Sequence, residues 1–101
     1  MPEDLPPLKS LPPNLVAYQR TPDFTEATIP GALRRRHTTK AGVWARICVL
    51  RGSLRYIILE PHPQEQLLSP GSPGVVEPGI PHQVEPVGEV QFFVEFLRHA
   101  G

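Results

Sequence analysis

Prolines and glycines interrupt this chain so often that no long helix fits between them. Fourteen of the 101 residues are proline and eight are glycine. A proline inside a helix removes a hydrogen bond and clashes with the preceding turn. Beyond the first stretch these residues fall between short apolar runs, as turns fall between strands. The length suits one domain with a modest core.

The apolar runs place the strands. Leu15–Gln19 is expected to be the first. Residues 21–29 are ambiguous, and Thr21-Pro22-Asp23 could begin a short helical turn with Pro22 at its first position. Leu33–Thr38 is a predicted strand carrying Arg34, Arg35, Arg36 and His37. VWARICVL (43–50) and SLRYIIL (53–59) read as a hairpin that turns at Gly52. Gln66–Leu68, Val75–Val76, His82–Glu85 and Val90–Leu97 follow. No segment holds a helical period for three turns. About eight short strands predict an all-β fold, a sandwich or a single small barrel. Residues 1–13 read as a proline-rich arm, and 14–101 as the β-barrel domain.

Ten basic residues balance ten acidic ones, so the formal net charge is zero. That argues against a nucleic-acid partner, which calls for a basic excess. Cys48 is the one cysteine, so no internal disulfide forms. Its apolar run makes it a small buried hydrophobe rather than a catalytic thiol. The N-terminal stretch has acids and prolines but no apolar core of a signal peptide. No run approaches the ~20 apolar residues that span a bilayer. The expected compartment is the cytoplasm, with no membrane partner.

The spacing Gly71-x5-Glu77-x-Gly79-x2-His82 resembles the second cupin motif. Glycines there allow tight turns that aim a histidine into a barrel mouth. Glu77 stands where proline is usual, and Pro86 where asparagine is usual. The first cupin motif is partial. Gly52 fits its closing glycine, Ala45 takes its glutamate position, and no His-x-His precedes them. His37 lies a little upstream. A longer match runs through His37-Thr-Thr-Lys-Ala-Gly42-Val-Trp44-Ala-Arg46 and Val49-Leu50-Arg-Gly52-Ser-Leu-Arg-Tyr56. It continues with Glu77-Pro78, His82-Gln-Val-Glu85 and Phe93-Val-Glu95-Phe96. This stretch resembles the small cupins of the YeaR-like family, also found as the N-terminal domain of some tellurite-resistance TehB proteins. The resemblance implies a cupin-type β-barrel (a double-stranded β-helix, or jelly roll) with a transition-metal site, and no settled reaction. Full-length TehB proteins also carry a methyltransferase domain that uses S-adenosylmethionine. This chain has no G-x-G-x-x-G fingerprint, so methyl transfer is not expected of it.

His37 and His82 are the expected metal pair. Each lies beside a turn next to a strand, which suits the open end of a barrel. A neutral imidazole so placed is a good ligand for a borderline metal. The alternative is that one is a surface or hydrogen-bonded histidine. Glu85 and Glu95 compete as a third, carboxylate ligand. Strict alternation from His82 puts Glu85 on the opposite face, unless a bulge at Pro86 intervenes. Glu95 lies in an apolar run, so it faces solvent, pairs with an arginine or binds metal. Such a set suits a divalent transition metal: Zn, Fe, Mn or Ni. Arg46 shares a strand face with Trp44 and Cys48. It is a candidate for binding an anionic ligand or orienting a carboxylate, with an outside ion pair as the alternative. Trp44 and Tyr56 read as packing residues.

These residues lead to a first expectation of a small metal-binding cupin with a stress-response or oxyanion-resistance role. The alternatives are a cupin dioxygenase or isomerase, and a metal-free ligand-binding or dimerisation module. Whether a reaction is catalysed stays open. The expected partners are a small-molecule or anionic ligand and a second copy of the chain. A small barrel exposes strand edges that pairing would cover.

Overall fold

The computed structural model describes residues 11–100. Six strands and one short 3-10 turn make up the described chain: β1 (Leu15–Arg20), β2 (Phe24–Thr25), the 3-10 turn (Gly31–Arg34), β3 (Trp44–Ile58), β4 (Gln64–Leu68), β5 (Gly74–Val76) and β6 (His82–His99). All pairings are antiparallel, in the order β1-β6-β3-β4, with β2 against β6 and β5 against β3. The protein is therefore all-β, as the proline and glycine pattern requires. Among the described residues the sheet is open, with β1 and β4 ending its path, and the expected closed cupin barrel is not shown. Most of the expected 1–13 arm lies outside the described residues.

The expected hairpin at Gly52 does not form. VWARICVL and SLRYIIL are two halves of one strand, β3, which pairs along its length with β6. The register passes from Val49↔Phe92 to Arg51↔Gln91, leaving Leu50 as an extra, exposed residue. One inserted residue switches which parity faces inward. Before it, Ala45, Ile47 and Val49 are buried; after it, Leu54 and Tyr56 are. Gly52 has a positive φ of 81° and passes against β6 so closely that a Cβ would lie 2.0 Å from the Glu89 carbonyl oxygen. The turn signal at Gly52 was thus a bend signal. Pro86 and Gly88 likewise fail to end a strand. β6 runs through them, and the register skips two residues between Val90 and Val87.

The bends bring both halves of β3 and β6 around one apolar cluster. Ala45, Ile47, Val49, Leu54, Tyr56, Leu68, Val76, Val84, Val90, Phe92 and Val94 form it. Phe24, Ile29, Leu33, Ile58 and Phe96 pack at its margin. Burying each large side chain, such as Phe92 or Leu54, contributes about 1.5–3 kcal/mol relative to leaving it in water.

Two further expectations are corrected. Residues 33–38 do not form a strand: Gly31–Arg34 is a 3-10 turn, and pairing resumes only at a single bridge, His37↔His82. The proposed helical turn at 21–23 is absent, because Thr21 pairs with Val94. Its N–H donates to the Val94 carbonyl (2.9 Å), and its hydroxyl accepts from the Val94 N–H (3.0 Å). That leads Phe24 directly into β2. Among the described residues no helix is long and apolar enough to cross a membrane.

Candidate functional site

His37 and His82, far apart in sequence, meet through the backbone. The His37 N–H donates to the His82 carbonyl (2.8 Å), and the His82 N–H donates to the His37 carbonyl (2.9 Å). The two rings lie 5.4 Å apart at right angles, and the Tyr56 ring is 5.9 Å from that of His82. The position before the Gly31–Arg34 turn is Pro30, and the loop after it delivers His37 to the first residue of β6.

Both histidines line one cavity of about 230 Å³. Its wall is otherwise apolar, from Ala45, Ile47, Val84, Phe92 and Phe96 among others, with Thr21 and Thr39 as the hydroxyl groups. No charged residue lines it among the described residues. His82 is 4 % exposed. Its Nδ1 lies 2.9 Å from the Ile80 carbonyl, which only accepts, so Nδ1 carries the proton. Burial pushes the imidazolium pKa down, nearby His37 adds to that, and the Ile80 carbonyl opposes it. His82 is therefore a neutral ring with Nε2 as its acceptor. The Nδ1 of His37 is buried and has no hydrogen-bond partner among the described residues. Tyr56 is fully engaged: its hydroxyl donates to the Val75 carbonyl at 2.9 Å, and burial first, then the Glu77 charge, raises its pKa.

The two carboxylates do not join the histidines. Glu95 stands opposite Arg46 on the β6–β3 ladder and is held by its guanidinium. That hydrogen bond raises the Arg46 pKa. Ala45 and Ile47 on either side are buried, so Arg46 and Glu95 share the outer face with Trp44 and Cys48. Burial pushes the Cys48 thiol up, which suits a packing residue. Glu85 pairs with Arg55 at 2.8 Å, and Arg55 also holds Glu65. His82 and Glu85 thus obey strict alternation; the bulge comes after Pro86, too late to turn Glu85 inward.

This donor set does not fit the expected metal. A Zn, Fe, Mn or Ni site would draw on at least three protein ligands. No cluster of three or more His, Cys, Asp and Glu residues suited to a metal exists among the described residues. Two imidazoles converge, one with Nδ1 spent on Ile80, while Glu85 and Glu95 are tied to arginines elsewhere. The residues that sequence reasoning missed are apolar: Phe24, Leu33, Phe92 and Phe96 build the cavity wall. Val90, Phe92, Val94 and Phe96 alternate along β6, and this is the face that packs on the core.

Comparison with known proteins gives the same correction from another side. The protein from Haemophilus influenzae (strain Rd) described as "Probable S-adenosyl-L-methionine-dependent methyltransferase TehB" is 30% identical over 79 residues, covering 74% of this chain and 28% of that protein. The crystal structure of TehB from Haemophilus influenzae superposes with a TM-score of 0.78 and 27% identity, over 86% of this chain and 32% of that one. A structural-genomics protein from E. coli (strain K12) shares the fold, with a TM-score of 0.82 and 24% identity over 92% of this chain and 99% of that one. The chain thus spans just over a quarter of the curated TehB sequence it matches. The curated TehB relatives are named as probable S-adenosylmethionine-dependent methyltransferases, and no cluster suited to a metal exists among the described residues, so the metal-binding cupin expectation is overturned together with its cofactor. The match to the TehB-like domain covers residues 19–94, and the chain belongs to the TehB-like family.

Proposed function

We propose that this domain serves a TehB-type methyl-transfer system by holding a small, largely apolar molecule in the cavity beside His37 and His82. The carrying observation is that cavity: about 230 Å³, largely apolar, with no charge and no partner for a buried imidazole nitrogen among the described residues. Pockets for small molecules have this composition, an apolar wall with a few placed polar groups. At this volume the occupant is compact. A buried polar atom without a partner costs about 1–3 kcal/mol, and a ligand that supplies a hydrogen bond recovers part of it.

Methyl transfer itself is assigned to a methyltransferase domain or chain acting with this one. An S-adenosylmethionine site of the doubly wound kind needs a strand, a glycine-rich loop and a helix in succession. The described residues contain strands and one 3-10 turn. The division into an arm over 1–13 and a folded domain over 14–101 belongs to this reading too, as does pairing of two copies. The β1 and β4 edges, with exposed Val16, Tyr18 and Leu67, support association. Sedimentation equilibrium checks it, and a monomer at high concentration overturns it.

Titration with hexan-1-ol, followed through methyl NMR signals, tests the cavity. Saturable shifts are expected at Ile47, Val76 and Val84. They should vanish in Ala45→Phe, which fills the space. Shifts elsewhere, or none in the folded protein, overturn the reading.

A further inference from the structure

A second cavity, of about 330 Å³, abuts the first. The two share His37, Thr39 and Phe96 as lining residues. Their chemistry differs. The inner one is apolar, while the outer one is lined by Tyr18, Gln19, Thr38, Lys40 and Val43 beside the shared three. Of the described residues lining the pair, Lys40 alone carries a formal charge. No ion pair occupies Lys40 among the described residues, whereas Arg36, Arg46 and Arg55 are matched to Glu60, Glu95 and the pair Glu65 and Glu85.

The loop that carries Lys40 is built, not loose. The Thr39 hydroxyl donates to the Val43 carbonyl at 2.8 Å, and the Val43 N–H donates to the Lys40 carbonyl at 3.0 Å. Those bonds close the turn between the His37 bridge and β3. They hold Lys40 three residues from the histidine whose Nδ1 is buried without a partner. A molecule lying across the shared wall therefore meets an apolar chamber at one end, an imidazole in the middle and an ammonium group with amide and hydroxyl donors at the other.

We infer that the two cavities form one bipartite site for a small amphipathic anion. Its apolar body occupies the inner chamber, and its single anionic head, of the carboxylate kind, lies in the outer chamber against Lys40 and the Gln19 amide. This rests on the cavity reading above and adds the charge of the ligand to it. An anion of that kind is drawn by the ammonium and by donors, with no acid among the described lining residues to repel it.

Calorimetric titration of the full chain with hexanoate and hexan-1-ol tests it, repeated on Lys40→Gln. Lys40 is exposed, so the substitution leaves folding intact. Hexanoate should bind about tenfold more tightly than hexan-1-ol, as a charge-assisted hydrogen bond supplies. That advantage should shrink with added salt and disappear in Lys40→Gln, while the affinity for hexan-1-ol holds. Equal affinities overturn the anion inference and leave the apolar cavity standing. A preference for hexanoate that survives Lys40→Gln also overturns it, since another group would then hold the head. Failure of both probes overturns the cavity reading, and the inference falls with it.

Discussion

At the scale of single residues, two positions carry consequences that their side-chain types alone do not announce. Gly52 combines a positive φ with a near contact to the Glu89 backbone. Gly52→Ala should cost about 3 kcal/mol or more, since the left-handed backbone penalty adds to a clash that backbone cannot relieve cheaply. Gly42 has a similar φ of 77° and open space around it, so Gly42→Ala isolates the backbone penalty, about 1–2 kcal/mol. Chemical denaturation of the two variants measures the difference. His82 gives a pH prediction with a definite sign. Its folded pKa is depressed, chiefly by burial. The unfolded chain therefore takes up a proton more readily than the folded one. Stability is complete above the unfolded value of about 6.5 and is lost as pH falls toward the folded pKa. The loss cannot exceed about 1.4 kcal/mol per pH unit, the limit for one proton. Melting curves of the wild type and His82→Gln should converge in slope against pH above neutrality and diverge below about 6.5. Parallel curves would remove His82 as the source.

At the scale of elements, the outer face of β3 and β6 is an ion-pair ladder, with Arg46 on Glu95 and Arg55 on Glu65 and Glu85. These pairs are partly exposed, so a double-mutant cycle on Arg46→Ala and Glu95→Ala should give a coupling of about 0.5–1 kcal/mol. Dialysis against a chelator should leave that value and the melting temperature unchanged. The strands themselves were legible from apolar alternation and from where prolines fall. Their joins were not. A glycine flanked by two apolar runs reads equally as a hairpin turn or as a bulge inside one strand, and only the partner strand decides. Gly52 had β6 beside it, and Gly88 had β3, so both runs continued. His37 and His82 were picked for their places beside turns next to strands, and the backbone bridge brings the two together. The fates of Glu85 and Glu95 were legible only as alternatives, the opposite face for one and an arginine partner for the other, since which arginine lies across the ladder is invisible in a linear reading. The cavity wall drew on Phe24, from the ambiguous segment 21–29, and on Leu33, which was read as opening a strand and lies in the 3-10 turn.

At the scale of the whole molecule, the β3–β6 ladder dominates, and it has an order built into it. Residues 59–81 separate the two strands. Ile58↔His82 is the pairing nearest in sequence, and Trp44↔Leu97 is the farthest. Closing a longer loop costs more chain entropy. Pairing is therefore expected to start at Ile58 and His82 and to zip toward Trp44 and Leu97. A fold made of such non-local pairs belongs with the slower small domains, on the scale of milliseconds to seconds. Truncating Val84 should slow folding, whereas truncating Leu97 should mainly speed unfolding. The reverse pattern in stopped-flow kinetics would place the nucleus at the other end. The direction of zipping also sets when the cavity comes into being. His82 is fixed with the first rung, but His37 reaches it from the far side of β3, along a loop that no early rung restrains. The chamber closes only when that loop docks, so a bound guest stabilises the last stage of folding and not the first.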